Sequence, residues 1–157
     1  MTTYSDHLWF RACYRVACLV RSLCEEKGSS DTRLFEDMLL PDRYTKIGRS
    51  VNARDNYRRE HVVPRKVVAD ECSRMLRSGA TDEEVAQYIS THICIIEISR
   101  EEQERLDRKA QLNLRTRMPD AWTSGENIFA RLDAAGIIWI PLDTGDFVHP
   151  ALKSRNQ

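Results

Sequence analysis

The sequence predicts an α+β fold of about six helices and a small sheet of two to four strands. Three observations carry that expectation. Apolar residues recur at three- and four-residue spacing in several segments separated by polar or glycine-containing breaks. Ile93-Cys94-Ile95-Ile96-Glu97-Ile98 is a nearly continuous β-branched run, the pattern of a central strand. Ile137-Ile138-Trp139-Ile140 supplies a second, shorter strand that Pro141 halts. The 157 residues suit one domain, 1–157, with a single real core.

Taken in order, residues 5–27 read as a long amphipathic helix. Leu8, Trp9, Cys13, Val16, Ala17, Val20, Leu23 and Cys24 form its apolar face, Ser5 suits the N-cap and Gly28 ends it. A shorter helix begins near Asp31 and carries Leu34, Phe35, Met38 and Leu39 to the break at Pro41. Residues 42–58 are polar and arginine-rich with one glycine, and read as a long loop. An α+β core over 57–142 follows. It opens with a short strand from Tyr57 to Val63, and Pro64 suits the first turn of a helix running to about Arg77. Thr81 with Glu84, and Ser99 with Glu102, each form a capping-box pattern opening a helix, the second of which runs to about Ala110. Ser124 suits the cap of a helix containing Ile128, Phe129 and Leu132, stopped by Gly136. The tail 153–157 is expected to fray.

Composition narrows the function classes. A hydrophobic fraction of 41% and a charged fraction of 31% fit a soluble globular chain. No run approaches the length of a membrane span, and Arg11, Arg15 and Arg21 interrupt the stretch that a signal peptide would need. Five cysteines without a CxxC pair read as buried, reduced thiols, so a cytoplasmic location is expected. A net charge of zero argues against a nonspecific nucleic-acid coat. Charge is nevertheless patterned: Arg49, Arg54, Arg58, Arg59 and Arg65 fall in one segment against Asp55 and Glu60. Walker, dinucleotide-binding, nucleophile-elbow and HExxH patterns are absent from the sequence.

The segment surrounds Glu60-His61-Val62-Val63-Pro64, which places a candidate metal ligand beside a candidate general base. With Arg59, the string REHVVP resembles the acidic-His-aliphatic-aliphatic-Pro signature opening the HNH (ββα-metal) nuclease motif. The resemblance implies a degenerate ββα-metal core made of the strand ending at His61, the strand 93–98 and the helix from Ser99. It implies that His61 activates water as general base and that Glu60 and Glu102 hold a divalent Mg or Mn ion. Arg58, Arg59, Arg65 and Arg117 would then position nucleic-acid phosphates. Roughly thirty residues and two helices separate the two strands, and the final helix offers Glu101, Glu102 and Gln103 where the family usually offers Asn or His. The activity implied is phosphodiester hydrolysis, or nucleic-acid binding by an inactive relative.

Other readings of the same residues stand beside this one. Glu102 also suits the capping box of Ser99, and Glu60-His61 a solvated strand end. His92 reads as a helix C-cap or a satisfied buried histidine, and Asn127 as an ordinary cap. Arg115 and Arg117 around a turn, with Arg131 and Trp122, suit either a phosphate clamp or surface charge with a core tryptophan. An alternative function of a different class is a small phage or mobile-element protein that inhibits a host defence complex by protein–protein binding. The long first helix 5–27 would then also suit a homodimer face.

Overall fold

A capping box starts the first helix, α1 (Tyr4–Lys27), in the computed structural model, which describes residues 1–156. Thr3, not Ser5, is its N-cap: Thr3 Oγ1 accepts the Asp6 N–H, and the Asp6 carboxylate accepts the Thr3 N–H at 2.8 Å. Ser5 is buried and donates to the Asp146 carboxylate at 3.1 Å. Gly28 ends the helix in the left-handed region, φ 79°, where a side chain would be strained.

The apolar face of α1 (Trp9, Ala12, Cys13, Val16, Ala17, Val20) packs against α3 (Arg65–Arg77) and α4 (Asp82–His92). Trp9 Nε1 donates to the Ser90 carbonyl at 3.2 Å, fixing α1 to the end of α4. The face expected to serve a homodimer is therefore spent inside the chain, leaving Tyr4 and Leu19 as the large apolar side chains of α1 that stay exposed. Three cysteines, Cys13, Cys72 and Cys94, are buried, and burial pushes each thiol up, Cys72 to about 12. No helix among the described residues is long and apolar enough to cross a membrane.

The four-stranded mixed sheet has the order β2 (Arg58–His61), β3 (Ile95–Ile98), β1 (Lys46–Ser50), β4 (Trp139–Pro141). β3 is antiparallel to β2 and parallel to β1, and β4 is antiparallel to β1. As the β-branched run predicts, β3 is internal and every residue of it is buried. Ile96 and Ile98 face a cluster containing Ile47, Leu106, Phe129, Leu132 and Trp139. Glu97 alternates to the other face and stays buried beneath Lys46 (2.6 Å) and Arg49 (2.8 Å).

That ion-paired face explains the first correction. The stretch 42–58, expected as a loop, holds α2 (Asp42–Thr45), all of β1 and the start of β2. β1 reads as polar because Lys46 and Arg49 are strand residues that neutralise the buried Glu97, and a bulge between Lys46 and Gly48 breaks the alternation. Gly48 is required by packing. A Cβ there would lie 2.4 Å from Trp139 Cε3 and 3.0 Å from the Ile140 carbonyl oxygen. Gly48→Ala should therefore cost about 1–3 kcal/mol in urea unfolding by forcing Trp139 out of place. An unchanged midpoint would mean that β1 and β4 are not packed this closely.

Further elements differ in extent. The segment after Asp31 is a 3-10 turn, Thr32–Phe35, rather than a helix reaching Pro41. α5 (Arg100–Asp107) and α4 start on the expected capping boxes, with Ser99–Glu102 and Thr81–Glu84. The helix expected from Ser124 is only α6 (Ala130–Ala134), because Gly125 takes φ 98°, outside any helix, and Asn127 instead accepts the Phe129 N–H. α7 (Pro150–Lys153) continues into a 3-10 turn, Ser154–Asn156, where fraying over 153–157 is expected; Gln157 lies outside the described residues. On β4 the ladder bonds Val51 N–H to Ile138 O and Leu142 N–H to Ile47 O leave Trp139 and Pro141 with their backbone turned outward.

Candidate nucleic-acid interface at the edge of β2

Strand alternation separates the two residues that the motif pairs. Glu60 lies opposite Ile96 and His61 opposite Ile95, so their side chains leave β2 on opposite faces. Because β2 is an edge strand, both still line one cleft of about 350 Å³ that wraps around that edge.

On one face Glu60 is held by Arg131, whose side chain is 0% exposed. Arg131 Nη2 donates to Glu60 Oε1 at 2.8 Å, Nη1 to the His61 carbonyl at 2.7 Å, and Nε to the Leu114 carbonyl at 2.9 Å. One guanidinium thus ties α6, the 108–118 segment and the end of β2 together. Burial raises the Glu60 carboxyl above its ordinary value, against the opposing pull of Arg131. Burial wins because the carboxylate loses more hydration than one ion pair and a hydrogen bond restore.

On the other face His61 is half-buried, and its Nδ1 is buried with no hydrogen-bond partner among the described residues. Desolvation, then the charges of Arg65, Arg59 and Arg131, lower its pKa to about 3. A base that weak is poorly matched to taking a proton from water near neutral pH.

Glu102 does not join Glu60. It is 1% exposed, and its Oε2 accepts the Ser99 N–H at 2.8 Å while Oε1 accepts from Ser50 Oγ at 2.7 Å and Asn52 Nδ2 at 3.1 Å. The capping-box role is realised, and the carboxylate also pins the end of β1, two strands and about 10 Å from β2. Among the described residues no group of three or more His, Cys, Asp or Glu side chains converges as a metal site. The residues present do not fit a resident Mg or Mn ion at Glu60 and Glu102; β2 pairs with β3 and touches α5.

The cations fare differently. Arg59 and Arg65 line the cleft, joined by Lys66 and Arg115. Arg59 pairs with Asp42, Arg65 with Glu36, and Lys66 with Asp70 at 2.7 Å. None of these carboxylates is part of the cleft lining. The pairs are exposed and so worth little, which makes them cheap to exchange for phosphate. Arg115 forms no ion pair among the described residues. Thr32 and Thr116 add hydroxyl donors, and α3 opens beside them on Pro64 with no side-chain cap on its first N–H groups. Glu60 and Asp107 are the acidic residues of the lining, and Glu60 is already paired.

Two of the four expected phosphate contacts lie elsewhere. Arg58 faces away and donates to Asn56 Oδ1 at 3.2 Å, and Arg117 donates to the Asn113 carbonyl and Asp120. Lys66 and Arg115 take their places. Arg115 was within reach of sequence reasoning as the neighbour of a turn arginine, whereas Lys66 reads only as an exposed first-turn residue of a helix. Trp122 lies away from the cleft and donates to the Asn127 carbonyl at 2.9 Å.

No family model, curated protein or solved structure matches the chain.

Proposed function

We propose that the chain binds nucleic acid by its phosphate backbone across the edge of β2, as a relative of the HNH type in which Glu60 and His61 have structural rather than catalytic roles. The observation that carries this reading is the convergence of Arg59, Arg65, Lys66 and Arg115 on one cleft, with the carboxylate partners of the first three outside it. Phosphate oxygens offer what those cations now receive from Asp42, Glu36 and Asp70, and the uncapped start of α3 adds backbone donors. The zero net charge bounds the affinity to a local, salt-sensitive contact.

Fluorescence anisotropy with labelled single-stranded DNA and RNA, across a salt series, tests it. Four phosphate contacts predict a log–log salt slope of about −3 for single strands. Arg115→Ala, at an exposed residue, should weaken binding to all sequences alike and reduce the slope by about one contact. Added Mg or Mn should leave the oligonucleotides uncut. An oligonucleotide that does not bind, or a slope untouched by Arg115→Ala, would sink the reading. Attention would then pass to a protein partner, whose supporting feature is the exposed strip of Val51, Ile138 and Ile140 along β4.

A further inference from the structure

We propose, resting on the nucleic-acid reading of the β2 cleft, that this cleft takes the terminal phosphate monoester of a strand rather than phosphodiesters in mid-chain. The observation that points there is how charge divides across β2. Pairing alternation puts Arg59 and His61 on one face of the strand and Glu60 on the other. On the first face Arg65 joins them from the first turn of α3. Burial, then the charges of Arg65 and Arg59, keep His61 neutral near pH 7, so this face carries the charge of the arginines alone.

The second face is acidic. Glu60 leaves β2 on the side of Ile96, where Leu106 of α5 joins the same core cluster. From α5, Gln103 and Asp107 complete the lining. Arg131 is wholly buried and answers Glu60, whereas the half-buried Asp107 has no ion-pair partner among the described residues. The Glu60 carboxyl, raised chiefly by burial against the pull of Arg131, is raised further by the charge of Asp107, which places the two acids together.

A strand carries one negative charge at every phosphate along its length. Continuing across the edge of β2 would bring one of them against Asp107, where like charge disfavours it. A strand that ends on the cationic face meets no such charge. The volume of about 350 Å³ lies near the low end for small-ligand sites, room for an end group but not for a length of duplex. The lining holds no Phe, Tyr or Trp on which passing bases could stack. A terminal phosphate carries a charge of about −1.5 to −2 at neutral pH and three strong acceptor oxygens, more than a diester offers. Arg59, Arg65, the hydroxyls of Thr32 and Thr116 and the uncapped N–H groups opening α3 are donors suited to it. Lys66 and Arg115, both exposed, are left for the phosphates that follow.

Anisotropy with one sequence carrying a 5′-phosphate, a 3′-phosphate or neither tests this, with a circular single strand as competitor. At least one phosphorylated end should bind about tenfold more tightly than the bare strand, and which one fixes the direction of entry. The circle should compete no better than the bare strand. These comparisons use the wild-type chain and do not depend on how any variant folds. Arg65→Gln should bring the phosphorylated strands down to the bare one, and Asp107→Asn should let the circle bind several-fold more tightly. Equal binding of phosphorylated and bare strands, a circle that competes as well as a phosphorylated end, or an Asp107→Asn chain with no gain for the circle would overturn the end preference and leave backbone binding standing. Failure of every strand to bind would instead remove the nucleic-acid reading beneath it.

Discussion

Arg131→Met should lower the unfolding free energy by about 3–5 kcal/mol, the largest effect expected of any single substitution in this chain. The side chain is fully buried and gathers the carbonyls of His61 and Leu114 with the carboxylate of Glu60. Methionine fills similar volume, so the loss reflects polar groups left without a donor rather than a cavity. Removing one partner of a buried pair leaves the other as an uncompensated charge, and Glu60, already raised by burial, should rise further. Urea unfolding at neutral pH measures the loss. Arg131→Met with Glu60→Gln should recover part of it, since the orphaned charge is gone. A loss below about 1 kcal/mol would mean that this guanidinium is not the tie between α6 and β2.

Acid should unfold the chain early. His61 is held to about 3 and His149 to about 4, each chiefly by burial, and His92 is also lowered. Their unfolded value is about 6.5. The sign follows from which state binds protons. Above 6.5 neither state is protonated at these rings, and the stability is fully present. As pH falls below 6.5 the unfolded chain takes up protons that the folded chain refuses, so stability is lost progressively towards the folded values. Each ring contributes about 1.4 kcal/mol per pH unit inside its window. Two pH units below the unfolded value, His61 and His149 together remove about 5 kcal/mol, comparable to the whole stability of a small domain. Urea midpoints measured stepwise from neutral to acid should fall steeply through this window. A flat profile there would show that the imidazoles are not buried in neutral form.

Much of the fold could be read from residues whose local signal agrees with their packing. Thr81-x-x-Glu84 and Ser99-x-x-Glu102 open α4 and α5 because capping is a local interaction, complete within four residues. β3 was legible because both its faces are buried. β1 was hidden for the opposite reason: Lys46 and Arg49 are strand residues whose charges are answered by Glu97, fifty residues away in sequence order and adjacent only through the parallel pairing. The site was legible in part. The arginine-rich segment did mark a cationic surface, yet which arginines share it is set by tertiary packing: Arg59 lines the cleft while Arg58 bonds Asn56 outside it. Glu60 beside His61 suggested joint chemistry, but adjacency along a strand guarantees opposite faces. Arg131 carried a signal of its own: a charged residue between Phe129 and Leu132 on an apolar helix face needs buried partners, and Glu60 with two carbonyls supplies them.

The outward backbone of β4 and the grip of Arg131 on β2 share one consequence for self-association. A sheet grows by adding strands to an edge that shows open donors and acceptors. At β4 the outward positions are Trp139 and Pro141, of which Pro141 has no N–H to offer, and the strand is three residues long. At β2 the outward carbonyl of His61 is already occupied by the guanidinium. Each rim is thus short and partly blocked, which leaves little continuous backbone for another copy to extend beside the exposed isoleucines of β4.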